Sequence, residues 1–246
     1  MTHVRRAVGG YTVFSRESSD LIGSGLPVVL VHGLGTSSLY MVPTAVRLAE
    51  DLNVYAPDLP GFGHSSKPHD ALALPALAEV LAAWMTAAGL GAAAMVGNSL
   101  GCQVIAEFGL RYPGRLNRAV LQGPTVDRHA RRTLQQAGRF VRDLPRERVP
   151  EYFLNGHDYV RTGLRRGWET MQIALADRIE DKLPRLRMPV LIVRGVEDPI
   201  VSQPWVEELV RLLPNGRLII ARGAHTPNFS EPESFASVIR PFLAES

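Results

Sequence analysis

The residue whose surroundings best suit covalent chemistry is Ser99, at the centre of Gly97-Asn98-Ser99-Leu100-Gly101. An apolar run, Ala92 to Val96, precedes it and a helix-like stretch from Cys102 follows, so the serine falls in a strand, tight turn, helix context. A nucleophilic serine needs that context, because a sharp strained turn exposes its hydroxyl at the C-terminal end of a strand. Serine is a poor nucleophile unless a base takes its proton, so a histidine and a group to orient that histidine must lie elsewhere in the chain. Two segments supply them. Pro189 to Arg194 is a short β-branched run ending in Gly195-Val196-Glu197-Asp198-Pro199, and Leu218 to Ala221 runs into Arg222-Gly223-Ala224-His225. A fourth segment, Val28 to Val31 followed by His32-Gly33-Leu34-Gly35, is a buried strand running into a glycine-rich turn with backbone N–H groups free to face a developing oxyanion. Parallel strands bring residues at their C-terminal ends to one edge of a sheet, so the four segments should converge.

The elements that must position these residues alternate along the chain. Val4 to Arg16, with Gly9-Gly10 as its turn, reads as a hairpin. Strands are expected near 27–31, 53–56, 92–97, 117–122, 189–194 and 217–221, and helices near 40–51, 72–88, 100–112, 202–213 and 231–244. Such alternation predicts an α/β fold, a mostly parallel sheet with helices on both faces. The strands are apolar throughout, as strands covered on both sides should be.

The order Ser99, Asp198, His225, the glycine-rich turn after Val31, the Asp58-Leu59-Pro60-Gly61-Phe62-Gly63-His64-Ser65 loop and the Glu231-Pro232-Glu233 segment together resemble the α/β-hydrolase superfamily. The resemblance extends from about Tyr11 to Leu243. It implies Ser99 as nucleophile, His225 as base, Asp198 as the acid that orients it, and an oxyanion hole from the backbone N–H groups of Leu34 and Leu100. Some members take the acid from the position after the sixth strand, which makes Asp127 a second candidate, and Glu197 adjoins Asp198. The resemblance also implies that residues 124–187, which interrupt the alternation, form a helical cap over a core of residues 1–123 and 188–246. Leu134, Ala137, Phe140, Val141 and Leu144 have helical spacing there, and the segment holds 14 basic against 9 acidic residues. Phe140, Phe153, Trp168 and Met171 are the side chains expected to line a substrate pocket, although packing of the cap onto the core would use the same residue types.

With 27 Lys+Arg against 24 Asp+Glu the net charge is only +3, too small to suggest a nucleic-acid partner. No apolar run reaches the roughly 18 residues of a bilayer span, and no signal-peptide h-region is visible at the N-terminus, so a cytoplasmic protein with a small-molecule substrate is expected. The lone Cys102 is expected to be a packing residue. His32 and His64 read as loop supports, and His129 and His157 as solvent-facing. No His, Cys or Asp cluster has metal-site spacing, and no G-x-G-x-x-G follows the first strand, so no cofactor or metal is expected. The residues and the resemblance imply a serine hydrolase cleaving an ester or lactone of a small, largely apolar substrate. Two alternatives stay open. Asn98 before the nucleophile resembles the carbon–carbon bond hydrolases of meta-cleavage products, although those carry tryptophan after the histidine where this chain has Thr226; a ligand-binding receptor on the same scaffold is the other. Serine at the elbow separates the chain from dehalogenases and epoxide hydrolases, which carry aspartate there.

Overall fold

The computed structural model describes residues 1–18, 25–147 and 149–245; residues 19–24, 148 and 246 of the expected spans lie outside it. The chain runs β1 (Thr2–Val8), β2 (Tyr11–Glu17), β3 (Val28–Val31), α1 (Ser38–Leu48), β4 (Val54–Pro57), α2 (Leu74–Ala87), β5 (Ala93–Asn98), α3 (Leu100–Arg111) and β6 (Leu116–Gln122). After it come α4 (Thr133–Asp143), α5 (Val149–Thr162), α6 (Leu164–Ala176), α7 (Ile179–Lys182), β7 (Val190–Gly195), α8 (Gln203–Leu212), β8 (Gly216–Ala221), α9 (Pro227–Ser230) and α10 (Pro232–Ala244). The strands form one sheet in the order β1-β2-β4-β3-β5-β6-β7-β8. The β1/β2 hairpin and the β2/β4 pairing are antiparallel, and every pairing from β4 through β3, β5, β6 and β7 to β8 is parallel. This is the expected α/β architecture.

Alternation of side chains across the sheet divides the core into two layers. Val29, Val31, Met95 and Ile192 face α2, α3 and α8, where Trp84, Phe108 and Trp205 are buried. Val28, Leu30, Val96 and Val193 face α1 and α10, against Tyr40, Leu48, Phe235 and Phe242. β3 and β5 are buried along their whole length, whereas edge strand β8 is only half covered. The last expected helix, near 231–244, is α10, and one short helix precedes it. Residues 227–230 form a separate short helix before Pro232 starts α10, consistent with proline's preference for a first helical turn.

Between β6 and β7 the described residues hold helices and no strand. α4 has the expected helical spacing. Leu134 and Val141 are 87% and 61% exposed, while Gln136 and Asp143 are the buried side chains of that helix. Its inner face is therefore partly polar, which apolar periodicity cannot reveal.

Candidate active site

Ser99 stands between β5 and α3 with φ 53° and ψ −115°, the only non-glycine residue at positive φ among those described. Such a conformation costs on the order of 1–3 kcal/mol and persists only where the surroundings hold it. Its main-chain N–H donates to the Gln122 carbonyl at 3.0 Å. The turn is tight because α3 passes directly over β3: a Cβ on Gly101 would sit 2.3 Å from the Val31 carbonyl oxygen. The Ser99 hydroxyl is 3.4 Å from Thr125 Oγ1, its hydrogen-bond partner among the described residues.

His225, in the loop after β8, is buried, and its Nδ1 lies 2.8 Å from Asp198 Oδ2. The other oxygen, Oδ1, accepts from the main-chain N–H groups of Ile200 and Val201 at 2.8 and 2.9 Å. Asp198 is thus fixed on both sides and assigns the Nδ1 proton to the bond, leaving Nε2 as the acceptor nitrogen. Burial pulls the imidazole pKa down, but the charge and hydrogen bond of Asp198, with Asp143 and Glu147 nearby, outweigh it and hold it at about 9. The backbone of Gly123 packs against the ring, where a Cβ would come within 2.8 Å of Cε1.

Beneath the histidine lies a buried polar network. Tyr40 donates to Asn98 Oδ1 at 3.2 Å, Asn98 Nδ2 donates to Gln122 Oε1 at 2.9 Å, and Asn98 and Gln122 both donate to the His225 carbonyl, at 3.3 and 2.5 Å. Asn98 therefore ties the nucleophile turn to the histidine loop.

The other candidates fall elsewhere. Asp127 makes no bond to His225; it accepts from Arg139 and Ser202 at 2.7 Å each and from the His129 N–H at 2.9 Å. Burial would raise its pKa, yet these bonds, Arg139 first, hold it below the usual carboxylate value. Glu197 is exposed. His32 is buried and takes a structural part, its Nε2 accepting from the Leu59 N–H at 3.0 Å. Burial pushes the Cys102 thiol pKa far up, in keeping with a packing residue.

Ser99 and His225 open on one cavity of about 410 Å³. Its floor includes Gly33, Leu34, Leu100 and Thr125, and its roof Phe140, Leu144, Tyr159 and Met171 from the segment after β6. Leu100 is the first residue of α3, and neither its N–H nor that of Leu34 has an acceptor among the described residues. Of the four side chains expected to contact substrate, Phe140 and Met171 line the cavity. Phe153 and Trp168 do not; they stand 78% and 58% exposed on the outside. Both lie on the outer faces of α5 and α6, and composition alone cannot tell inner from outer.

The sequence profile of the alpha/beta hydrolase family matches residues 28–238, which span the strained serine turn, Asp198 and His225. The chain belongs to the alpha/beta hydrolase family. Relatives of this hydrolase are distant and chemically varied. It is 26% identical over 273 residues to the 2-hydroxy-6-oxo-2,4-heptadienoate hydrolase of Pseudomonas putida, covering 99% of each chain. It is 26% identical to a thermophilic esterase from Thermogutta terrifontis (TM-score 0.75, 99% of this chain and 98% of that one). The enol-lactonase from Burkholderia xenovorans has the same fold at 20% identity (TM-score 0.81, 98% and 100% covered). No helix of the described residues of this hydrolase is long and apolar enough to cross a membrane.

Residues that the sequence reading missed also reach the cavity. Thr125 partners the Ser99 hydroxyl, Glu147 accepts from the Thr226 N–H at 3.0 Å and from its hydroxyl, and Asp143 faces His225 from α4. None belongs to a local motif; each is brought in by the segment after β6.

Proposed function

We propose that the protein is a cofactor-independent serine hydrolase cleaving an ester or lactone of a small, largely apolar substrate, with Ser99, His225 and Asp198 as its triad. The observation that carries this reading is the 2.8 Å Asp198–His225 bond, which leaves Nε2 as the acceptor nitrogen of a histidine that lines the same cavity as a serine held in strained geometry. The Ser99 hydroxyl leaves Thr125, gives its proton to His225 Nε2 and attacks the carbonyl carbon, while Asp198 stabilises the imidazolium. The N–H groups of Leu34 and Leu100 receive the oxyanion, a contribution that typically amounts to two to three orders of magnitude in rate per donor. Collapse expels the alkoxide, which takes the proton from His225; water then repeats the sequence on the acyl-enzyme. Residues 124–187 act as a cap, with Phe140 and Met171 as its apolar contacts.

A cavity of about 410 Å³ suits short to medium acyl chains. Steady-state release from p-nitrophenyl esters of increasing chain length should therefore show turnover with an optimum below long-chain lengths. The whole-length similarity to a heptadienoate hydrolase supports carbon–carbon cleavage as a second reading. Turnover of a dienol ketone without turnover of any ester would favour it; tight ligand binding with neither would favour a receptor.

A further inference from the structure

Asp143 is buried with one carboxylate oxygen unpartnered. It is 4% exposed, its Oδ1 has no hydrogen-bond partner, and it lines the cavity beside apolar Phe140 and Leu144. It is also the last residue of α4, the helix end at which negative charge is least favourable. The neighbouring Glu147 is taken up by Thr226, whereas Asp143, lining the roof of the same cavity, keeps an oxygen with no partner. Burial foremost, with the charges of Glu147 and Asp198, pushes its pKa up to about 7, while the His225 ring and main-chain N–H pull the other way. An unpaired buried acceptor is costly, and a substrate group that donates to it recovers that cost.

Its place beside His225 says which half of the substrate it meets. His225 returns its proton to the leaving oxygen, so the alcohol half of an ester lies on the histidine side of the cavity. Resting on the hydrolase reading above, we propose that Asp143 recognises a hydrogen-bond donor, a hydroxyl or amide N–H, carried by the alcohol half of the substrate. The substrate class is then an ester of a short acid with a hydroxylated or amide-bearing alcohol, in preference to a simple alkyl ester.

The test is a matched series: propyl, 2-methoxyethyl, 2-hydroxyethyl, 3-hydroxypropyl and 2-acetamidoethyl butanoates, with butanoate release followed by chromatography at pH 8.5, where Asp143 is ionised. The wild-type protein should prefer at least one donor-bearing ester to the methoxyethyl ester by roughly ten- to hundredfold in kcat/KM, the range of a hydrogen bond to a charged group. In Asp143→Leu that ratio should fall to near one, and in Asp143→Asn, whose amide oxygen still accepts, part of it should remain. Because the ratio is taken within each variant, a merely structural role of Asp143 would slow all five esters alike and leave it unmoved. A wild-type ratio near one, or a ratio unchanged in Asp143→Leu, overturns the assignment; should that variant fail to fold, the wild-type ratio and Asp143→Asn still decide it. Labelling of wild-type Ser99 by a small fluorophosphonate is run in parallel. Labelling with no donor preference defeats only the Asp143 proposal, whereas loss of both ester turnover and labelling defeats the hydrolase reading beneath it.

Discussion

Replacing Asp198 by asparagine and, separately, Asp127 by asparagine tests the logic of the site, because the two carboxylates are nearly isosteric choices with different partners. Asp198 Oδ2 accepts from His225 Nδ1 at 2.8 Å, and Oδ1 is already committed to the Ile200 and Val201 N–H groups. In Asp198→Asn the amide oxygen keeps those main-chain donors, so the amide nitrogen must face the ring and donate to Nδ1. The imidazole proton is then forced onto Nε2, and the nitrogen that should accept from Ser99 becomes a donor. In serine proteases the equivalent change costs about 10⁴ in kcat, and a loss of about 10³ to 10⁴ is expected here. Asp127→Asn keeps an acceptor for Arg139, Ser202 and the His129 N–H but loses a charge against Arg139, so it should cost about 1–3 kcal/mol of stability and leave kcat within about threefold. The assay is p-nitrophenyl ester turnover at saturating substrate, with urea unfolding of both variants. Near-normal kcat in Asp198→Asn, or a collapse confined to Asp127→Asn, would refute the reasoning.

Because His225 must be neutral to act as a base and its pKa is held at about 9, log kcat/KM should climb with pH up to about 9, and Asp143→Asn should move that limb down by about one unit, as expected for the loss of a neighbouring anion. The same raised pKa stabilises the folded state at pH below 6.5, and that stabilisation is lost as pH rises through 9; the Tm gap between wild type and Asp198→Asn should therefore be widest near pH 6 and close towards pH 10. Gly101→Ala, whose Cβ would lie 2.3 Å from a backbone carbonyl, should lose at least 1–3 kcal/mol in urea unfolding. Phe140→Ala and Met171→Ala should change relative kcat/KM among acyl chain lengths by roughly tenfold, whereas Phe153→Ala and Trp168→Ala, on the outer surface, should leave the series unchanged.

The sheet and its edge were legible because each strand is a short apolar run with a distinctive residue at its end, and parallel topology leaves those ends no other place to meet. Ser99 was legible through the glycines that a close helix crossing demands, and Asp198 and His225 through their places just past strand ends. The segment after β6 was not. Its helices carry apolar residues on the outside, as Leu134, Phe153 and Trp168 show, and polar ones inside, as Gln136 and Asp143 show. Periodicity identifies a helix there but does not say which face turns inward. Long-range partners such as Glu147 with Thr226 have no local pattern at all.

The central claim is that Ser99 is the nucleophile, and its most direct measurement is covalent capture. Incubation with a small fluorophosphonate, followed by proteolysis and mass spectrometry, should place the added phosphonyl group on the peptide bearing Ser99, with loss of ester turnover in proportion to labelling. Ser99→Ala should take up no probe while unfolding as cooperatively as wild type. Stoichiometric labelling at another residue of active protein, or full ester turnover by Ser99→Ala, would contradict the account.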